Sequence, residues 1–300
     1  MSRARLSISS QLARLALRLE RSRSGLSTQQ RTIDGVDYAY LEGGKGETLV
    51  LIHGIGADKD NFTRTARWLT AHFHVIIPDL PGFGESTRLP ESAGYTPQQQ
   101  MQRLRGFVRS FTDLPVHLGG SSMGGWISLE YAACHPEEVA SLWLLAPGGV
   151  GGAANSEMLE LYEQTGRSVL FVDRAEDYGQ ILDIVFARRP YLPKMLRQML
   201  GERAAVDHEL HQAAFKAIHG SARLEDRVAG LATPARIVWG EQDRVLDVSG
   251  AAILHGLLPN SELKLLHGVG HLPMAERPRL AASDYLKFQT RLRAALSAPA

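Results

Sequence analysis

The chain has 300 residues, 44% of them apolar, enough to bury a large core as one domain with an insertion or as two small domains. Lys and Arg number 33 against 32 Asp and Glu, a formal net charge of +1, so no global charge favours a nucleic-acid partner. The one cysteine, Cys134, excludes an internal disulfide and suits a reducing compartment.

Residues 1–30 differ in composition from the rest. Arg3, Arg5, Arg14, Arg18, Arg21 and Arg23 stand against a single acid, Glu20. Ile8, Leu12, Leu15 and Leu19 recur at helical spacing and make one apolar stripe, with Leu17 falling among the arginines. Arg14 and Arg18 interrupt any apolar core, so a secretory signal is not expected. No apolar run reaches the roughly 18 residues that a transmembrane helix needs, and a cytoplasmic location is expected. The segment fits a basic amphipathic helix lying on an anionic membrane surface. It equally fits an ordinary helix packed on the domain or a frayed tail; an Arg- and Ser-rich transit peptide ranks behind these.

The folded core is expected over 31–147 and 232–300. Thr32-Ile33 and Val36 to Leu41 read as short strands around Asp34-Gly35, a hairpin turn signal. Thr48 to Ile52 is a continuous apolar run, as expected of a strand covered on both faces, and it ends in His53-Gly54-Ile55-Gly56. Asn61 to Phe73 reads as a helix and Val75 to Ile77 as a buried strand, followed by the turn-rich Asp79-Leu80-Pro81-Gly82-Phe83-Gly84. Pro97 to Phe111 reads as a helix, with Pro97 suited to its first turn.

The next stretch, Val116 to Gly125, passes from a short apolar run into small residues and then into a helical segment, Trp126 to His135. A strand turning sharply into a helix through Gly-x-Ser-x-Gly is a nucleophile elbow; here it is Gly120, Ser121, Ser122, Met123 and Gly124. The glycines relieve crowding at the turn. Ser122 is lifted to the helix N-terminus, where free amides and the helix dipole favour negative charge. Ser121 is the rival nucleophile but lacks a glycine two residues to each side. Cys134, in the helix that follows, reads as a core residue. Ser141 to Ala146 is a further buried strand.

From 148 to 231 the strand signal disappears. Segments near 155–167, 175–187, 193–203 and 207–219 are helical. An insertion at the strand ends would roof a site, so this one reads as a helical lid. Its apolar residues Met158, Leu159, Leu161, Ile181, Val185, Phe186, Met195, Leu196, Met199, Phe215 and Ile218 mostly pack the lid itself. Some could line an acyl pocket, methionines adapting to variable ligands. The lid histidines His208, His211 and His219 read as solvated or structural. The strand pattern resumes at Ala235 to Trp239, before Gly240-Glu241-Gln242-Asp243. A helix from Ser249 to Leu258 and a strand from Glu262 to Leu266 follow, then Gly268-Val269-Gly270-His271 and a terminal helix from Arg279 to Ala295. Alternating strands and helices imply a mostly parallel sheet flanked by helices, with ligands beyond the carboxyl ends of the strands.

A serine hydroxyl needs an adjacent base, and the base needs a third group to fix its tautomer. Asp243 and His271 each follow a strand, in the chain order Ser, acid, His. His267 and Asp247 are the competing candidates. No metal-ligand spacing is found.

Together these features resemble an α/β-hydrolase from about residue 31 to 295, carried by His53 to Gly56, Asp79 to Gly84, the elbow, the Gly-x-x-Asp turn and the Gly-His loop. The stretches Ile237 to Gly250 and Met274 to Pro278 resemble the monoacylglycerol-lipase branch; His53 to Asp60 and Gly120 to Gly125 resemble a group of bacterial lipolytic enzymes. Members of both groups often carry an apolar N-terminal anchor, whereas this region is arginine-rich. The resemblance implies an eight-stranded, mostly parallel sheet with a helical lid after strand 6. It implies Ser122 as nucleophile, His271 as general base and Asp243 as its orienting carboxylate, with the backbone amides of Ile55 and Met123 as oxyanion hole and substrate-binding residues within 148–231. It implies a lipid-like ester as substrate and a mechanism that needs no cofactor, while the basic amphipathic composition of residues 1–30 suggests peripheral membrane contact. His53 would order its loop and Asp79 would cap a strand end. A carbon–carbon hydrolase of ring-cleavage products or an acyl thioesterase would use the same machinery, and a binding module would use the fold alone.

Overall fold

The computed structural model describes residues 8–221 and 223–297, so Arg3 and Arg5 lie outside the described residues. Helix α1 (Ile8–Arg23) leads into a hairpin of β1 (Leu26–Ile33) and β2 (Val36–Gly43). Asp34 and Gly35 at its tip both have positive φ, 50° and 77°, the requirement of a tight two-residue hairpin turn. β1 begins at Leu26, inside the stretch read as the N-terminal segment. Its sequence LSTQQRTI is mostly exposed and gives little apolar signal, as befits an edge strand.

β3 (Thr48–Ile52), α2 (Thr63–Ala66), β4 (His74–Pro78), α3 (Pro97–Arg109), β5 (Val116–Ser121), α4 (Met123–Cys134) and β6 (Val139–Leu145) follow. The helix expected from Asn61 to Phe73 shrinks to α2 and a series of turns. Trp68 N–H reaches back to Thr65 and His72 N–H to Leu69, three-residue spacings tighter than an α-helix. Thr63, Thr65 and Thr70 are poor helix formers, and Thr65 Oγ1 donates instead to the Met274 carbonyl at 2.5 Å. α3 begins as read: Thr96 and Gln99 cap its first turn reciprocally, with Pro97 just inside.

Between β6 and β7 (Ala235–Gly240) the described residues form helices and no strand: α5 (Glu157–Thr165), α6 (Tyr178–Val185), α7 (Lys194–Val206), α8 (His208–His219) and α9 (Glu225–Val228). After β7 come α10 (Ser249–Leu257), β8 (Ser261–Leu266), α11 (Pro273–Glu276) and α12 (Pro278–Ser297). The eight strands make one sheet in the order β1-β2-β4-β3-β5-β6-β7-β8. β1 and β2 pair antiparallel to their neighbours and the remaining pairs are parallel.

The period-2 alternation of β3 separates the two cores. Val50 and Ile52 pack with α3 and α4 through Leu104 and Ile127. Leu49 and Leu51 face the other way, toward Trp143 and the α12 residues Tyr285 and Phe288. α4 is buried from Met123 to Ala132, as expected of a helix apolar all round. Cys134 lies past that buried stretch and is exposed, which corrects the core reading; Arg227 Nη2 donates to its Sγ at 3.2 Å.

α1 docks against α7 and the sheet edge, but not by its leucine stripe. Ala13 is fully buried, and Arg21 forms a two-pronged ion pair with Asp60 at 2.6 and 2.7 Å. Leu12, Leu15 and Leu19 face outward, 48%, 51% and 49% exposed. Leu17, which had broken the stripe, faces inward and lines a cavity. No helix among the described residues is long and apolar enough to cross a membrane.

Candidate active site

The carboxyl ends of the parallel strands gather the candidate residues at one edge of the sheet, with β6 between β5 and β7. Ile55 follows β3, Ser122 follows β5, Asp243 follows β7 and His271 follows β8. At the elbow Ser122 adopts φ 54°, ψ −118°, a conformation that costs of order 1–3 kcal/mol and persists only when its surroundings enforce it. Here they do. Ser122 N–H donates to the Leu145 carbonyl at 3.0 Å, and its own carbonyl accepts from Trp126 and Gly148 at 3.1 and 2.9 Å. The flanking glycines have a steric reason. A Cβ on Gly120 would lie 2.2 Å from the Gly124 carbonyl oxygen, and one on Gly124 would lie 2.2 Å from that of Ile52. Ser121 is wholly buried, and its hydroxyl finds no partner.

Asp243 is pinned by its own loop. Its Oδ1 accepts from the Val245 and Leu246 amides at 2.8 and 2.9 Å, which leaves Oδ2 for His271 Nδ1 at 2.8 Å. The carboxylate is fully buried and the imidazole nearly so. The His271 amide donates to the Val185 carbonyl at 2.9 Å, tying the histidine loop to α6. The competitors do not pair with His271: Asp247 lines the second cavity and accepts from the Ser249 amide, and His267 is solvent-exposed beside Glu241.

The loop carrying Ile55 passes beside the elbow. A Cβ on Gly54 would approach Ser122 Cβ to 3.2 Å. His53 holds this loop. Its Nδ1–H donates to the Gly54 carbonyl at 2.7 Å, so Nε2 is the acceptor for the Leu80 amide at 3.0 Å. Burial pushes the His53 pKa down, which keeps that neutral tautomer.

Asp79 does more than end a strand. It is completely buried and pairs with an equally buried Lys59 Nζ at 2.5 Å; it also accepts from the Lys59 and Glu85 amides at 2.7 Å each. Lys59 Nζ further meets Glu85 at 2.7 Å. Burial pulls the Lys59 ammonium down, but Asp79 and Glu85 outweigh it and raise its pKa. Arg203 of α7 bonds Asp58 at 2.7 Å, joining the helical insertion to the same loop. Sequence reasoning missed Lys59 and Arg203. Within Asp58-Lys59-Asp60 the lysine looks like a solvated turn, and only the distant Asp79 distinguishes it.

Two cavities meet at the elbow, each touching Ser122, Ile55 and Leu170. The first, about 270 Å³, is bounded by His271, by Ile181, Val185 and Phe186 of the insertion, by Leu196 and Leu200 of α7, and by Leu17 of α1. The second, about 390 Å³, is bounded by Met123, Trp126, Met158, Leu159, Phe215 and Ile218. Of the methionines expected to adapt to ligands, Met158 reaches a cavity, whereas Met195 and Met199 line neither. His211 and His219 line the first and second cavity respectively. Among the described residues, His135, Glu137 and Glu138 bring possible ligand atoms within 4.8 Å of one another. They line neither cavity, and Glu138 is already held by Arg105 and Tyr131.

The geometry matches known proteins over most of the chain. The model of the alpha/beta hydrolase fold family matches residues 47–278. Lipase 1 of Psychrobacter immobilis is 35% identical, the match covering 93% of this chain and 89% of that protein. A monoacylglycerol lipase of Xenopus laevis is 29% identical over 89% of this chain and 83% of its own length. The crystal structure of a membrane phospholipase A, described as a bacterial virulence factor, superposes with a TM-score of 0.92 at 39% identity, covering 95% of this chain and 93% of that one. The eight-stranded, mostly parallel sheet and these matches agree: the chain belongs to the α/β-hydrolase fold family.

Proposed function

We propose that the protein is a serine carboxylic-ester hydrolase acting on lipid-like esters, such as monoacylglycerols or short- to medium-chain acylglycerols. Ser122 attacks the ester carbonyl while His271 takes its proton; His271 then protonates the leaving alcohol, and water releases the acid from the acyl-enzyme. Asp243 fixes the His271 tautomer through the 2.8 Å bond to Nδ1. The amides of Ile55 and Met123 receive the oxyanion, a role in which one donor typically contributes about 2.7–4 kcal/mol. The observation that carries this reading is the His271–Asp243 pair lining up behind a cavity that it shares with a strained, helix-capping serine.

The helical insertion acts as the lid, and it contributes apolar side chains to both cavities, Ile181, Val185 and Phe186 to the first and Met158, Leu159 and Phe215 to the second. Two cavities diverging from one serine suit an ester that is bulky on both sides of the reacting carbonyl. The lipase and phospholipase names of the relatives support a lipid-like substrate. The outward stripe of Leu12, Leu15 and Leu19, with Arg14, Arg18 and Arg23 exposed on the same helix, supports contact with an anionic lipid surface. Leu17 of that helix lines the substrate cavity, which brings the surface and the cavity together.

The test is hydrolysis of p-nitrophenyl esters by the purified protein and by Ser122→Ala. The wild-type protein is expected to turn them over and the variant to be inactive; equal rates would end the proposal. A panel of one acyl group as ester, as thioester and as a ring-cleavage dienoate separates the ester reading from the thioesterase and carbon–carbon alternatives.

A further inference from the structure

One buried polar group in the first cavity has no part in the chemistry above. His211 is only 6% exposed, it lines the cavity that holds Ser122 and His271, and its Nε2 has no hydrogen-bond partner. Its ring is held rigidly. Phe83 stacks on it at 5.1 Å with an interplanar angle of 15°, and Phe171 leans on it at 5.9 Å. The nearest carboxylate on its own helix turn, Asp207, is engaged by Arg88 at 2.5 and 3.0 Å. On the other side lies the oxyanion loop: a Cβ on Gly56 would sit 3.8 Å from His211 Nδ1. Burial lowers the His211 pKa to about 4, so the ring is neutral at pH 7 and offers one donor and one acceptor.

A buried polar atom without a partner costs roughly 1–3 kcal/mol, and buried polar groups in native structures are satisfied with few exceptions. Nε2 is closed off from the cavity, so the ring atom that a ligand would meet is Nδ1, beside the cavity-lining Gly56. In a lipid ester the acyl chain is bare hydrocarbon, so any polar group besides the reacting ester lies on the alcohol half. We propose that His211 is a substrate-binding residue that hydrogen-bonds a free hydroxyl on the alcohol half of the ester, giving the enzyme a preference for partial glycerides over simple alkyl esters. This rests on the ester-hydrolase reading and assigns a residue to recognition of the alcohol half.

The experiment compares a monoacylglycerol with the methyl ester of the same fatty acid, for the wild-type protein, His211→Phe and His211→Asn. Phe fills the site without a polar atom; Asn keeps one. His211→Phe is expected to lose about tenfold in kcat/KM on the monoacylglycerol, mainly through KM, and to stay within about twofold on the methyl ester. His211→Asn is expected to recover part of the loss. The rate of Ser122 labelling by a fluorophosphonate is expected to be unchanged, showing that the elbow is intact. Equal losses on both esters, or no loss on either, overturn the assignment of His211 while leaving the ester-hydrolase reading in place. A wild-type protein that cleaves neither ester and takes up no label defeats both.

Discussion

Asp243 gives one carboxylate oxygen to two backbone amides and the other to His271 Nδ1. This division of labour makes Asp243→Asn an informative change. The amide oxygen of asparagine would take the place facing Val245 and Leu246, where only an acceptor fits. Its NH₂ would then face His271, so Nδ1 would have to accept and Nε2 would carry the proton. That tautomer cannot take a proton from Ser122. We expect kcat on a p-nitrophenyl ester to fall by about 10⁴-fold with an unchanged circular dichroism spectrum. A loss smaller than tenfold would contradict the role given to Asp243.

Lys59→Met tests the buried ion pair in the loop that follows Ile55. The substitution leaves Asp79 charged, dry and without its cation, a situation that typically costs about 3–5 kcal/mol. Urea unfolding is the check, and the midpoint is expected to drop clearly. The double variant Lys59→Met with Asp79→Asn is expected to regain part of the loss. A single variant as stable as the wild type would mean that the pair is not buried as described.

Three buried histidines set a direction for stability against pH. Burial lowers the pKa of His53, His117 and His211, the last to about 4. The folded state therefore binds fewer protons than the unfolded state once the pH falls below the free-histidine value of about 6.5. Their contribution is complete above that pH and is lost progressively toward pH 4. Denaturant midpoints measured at pH 7.5, 6 and 5 are expected to decline in that order, and His211→Phe is expected to flatten the decline. Stability that holds level or rises over this range would refute the argument.

The outward leucines of α1 predict lipid binding without a cost in folding. Replacing Leu12, Leu15 and Leu19 together by serine removes three half-exposed apolar side chains. At about 1 kcal/mol for each half-buried leucine, partition onto phosphatidylglycerol vesicles is expected to weaken on the order of 100-fold. Thermal stability and p-nitrophenyl ester hydrolysis in solution are expected to stay near wild type. Unchanged vesicle partition would remove the stripe from the account.

Much of this was legible in the chain because local chemistry and fold coincide. Val116 to Gly125 needs its small residues for the same steric reasons in sequence and in space, and the buried parallel strands read as unbroken apolar runs. The Gly-x-x-Asp turn and the Gly-His loop singled out Asp243 and His271, and the fold puts the two side chains 2.8 Å apart. What sequence could not show was direction. The leucine stripe of α1 left open whether it lay on a membrane surface or packed on the domain; α1 docks by Ala13, Leu17 and ion pairs of Arg21 and Glu20 with Asp60 and Arg64, partners about forty residues away. Lys59 resembled a surface charge because its partner Asp79 is reached only through the sheet. His211 looked structural because its neighbours Phe83 and Phe171 come from distant segments.

The proposed chemistry requires Ser122 to form the covalent intermediate. The direct measurement is labelling of the intact protein with a fluorophosphonate, followed by peptide mass spectrometry. The account predicts a single adduct on Ser122, abolished by Ser122→Ala and strongly slowed by His271→Ala. An adduct on Ser121 or another residue, or labelling that survives in Ser122→Ala, would contradict it.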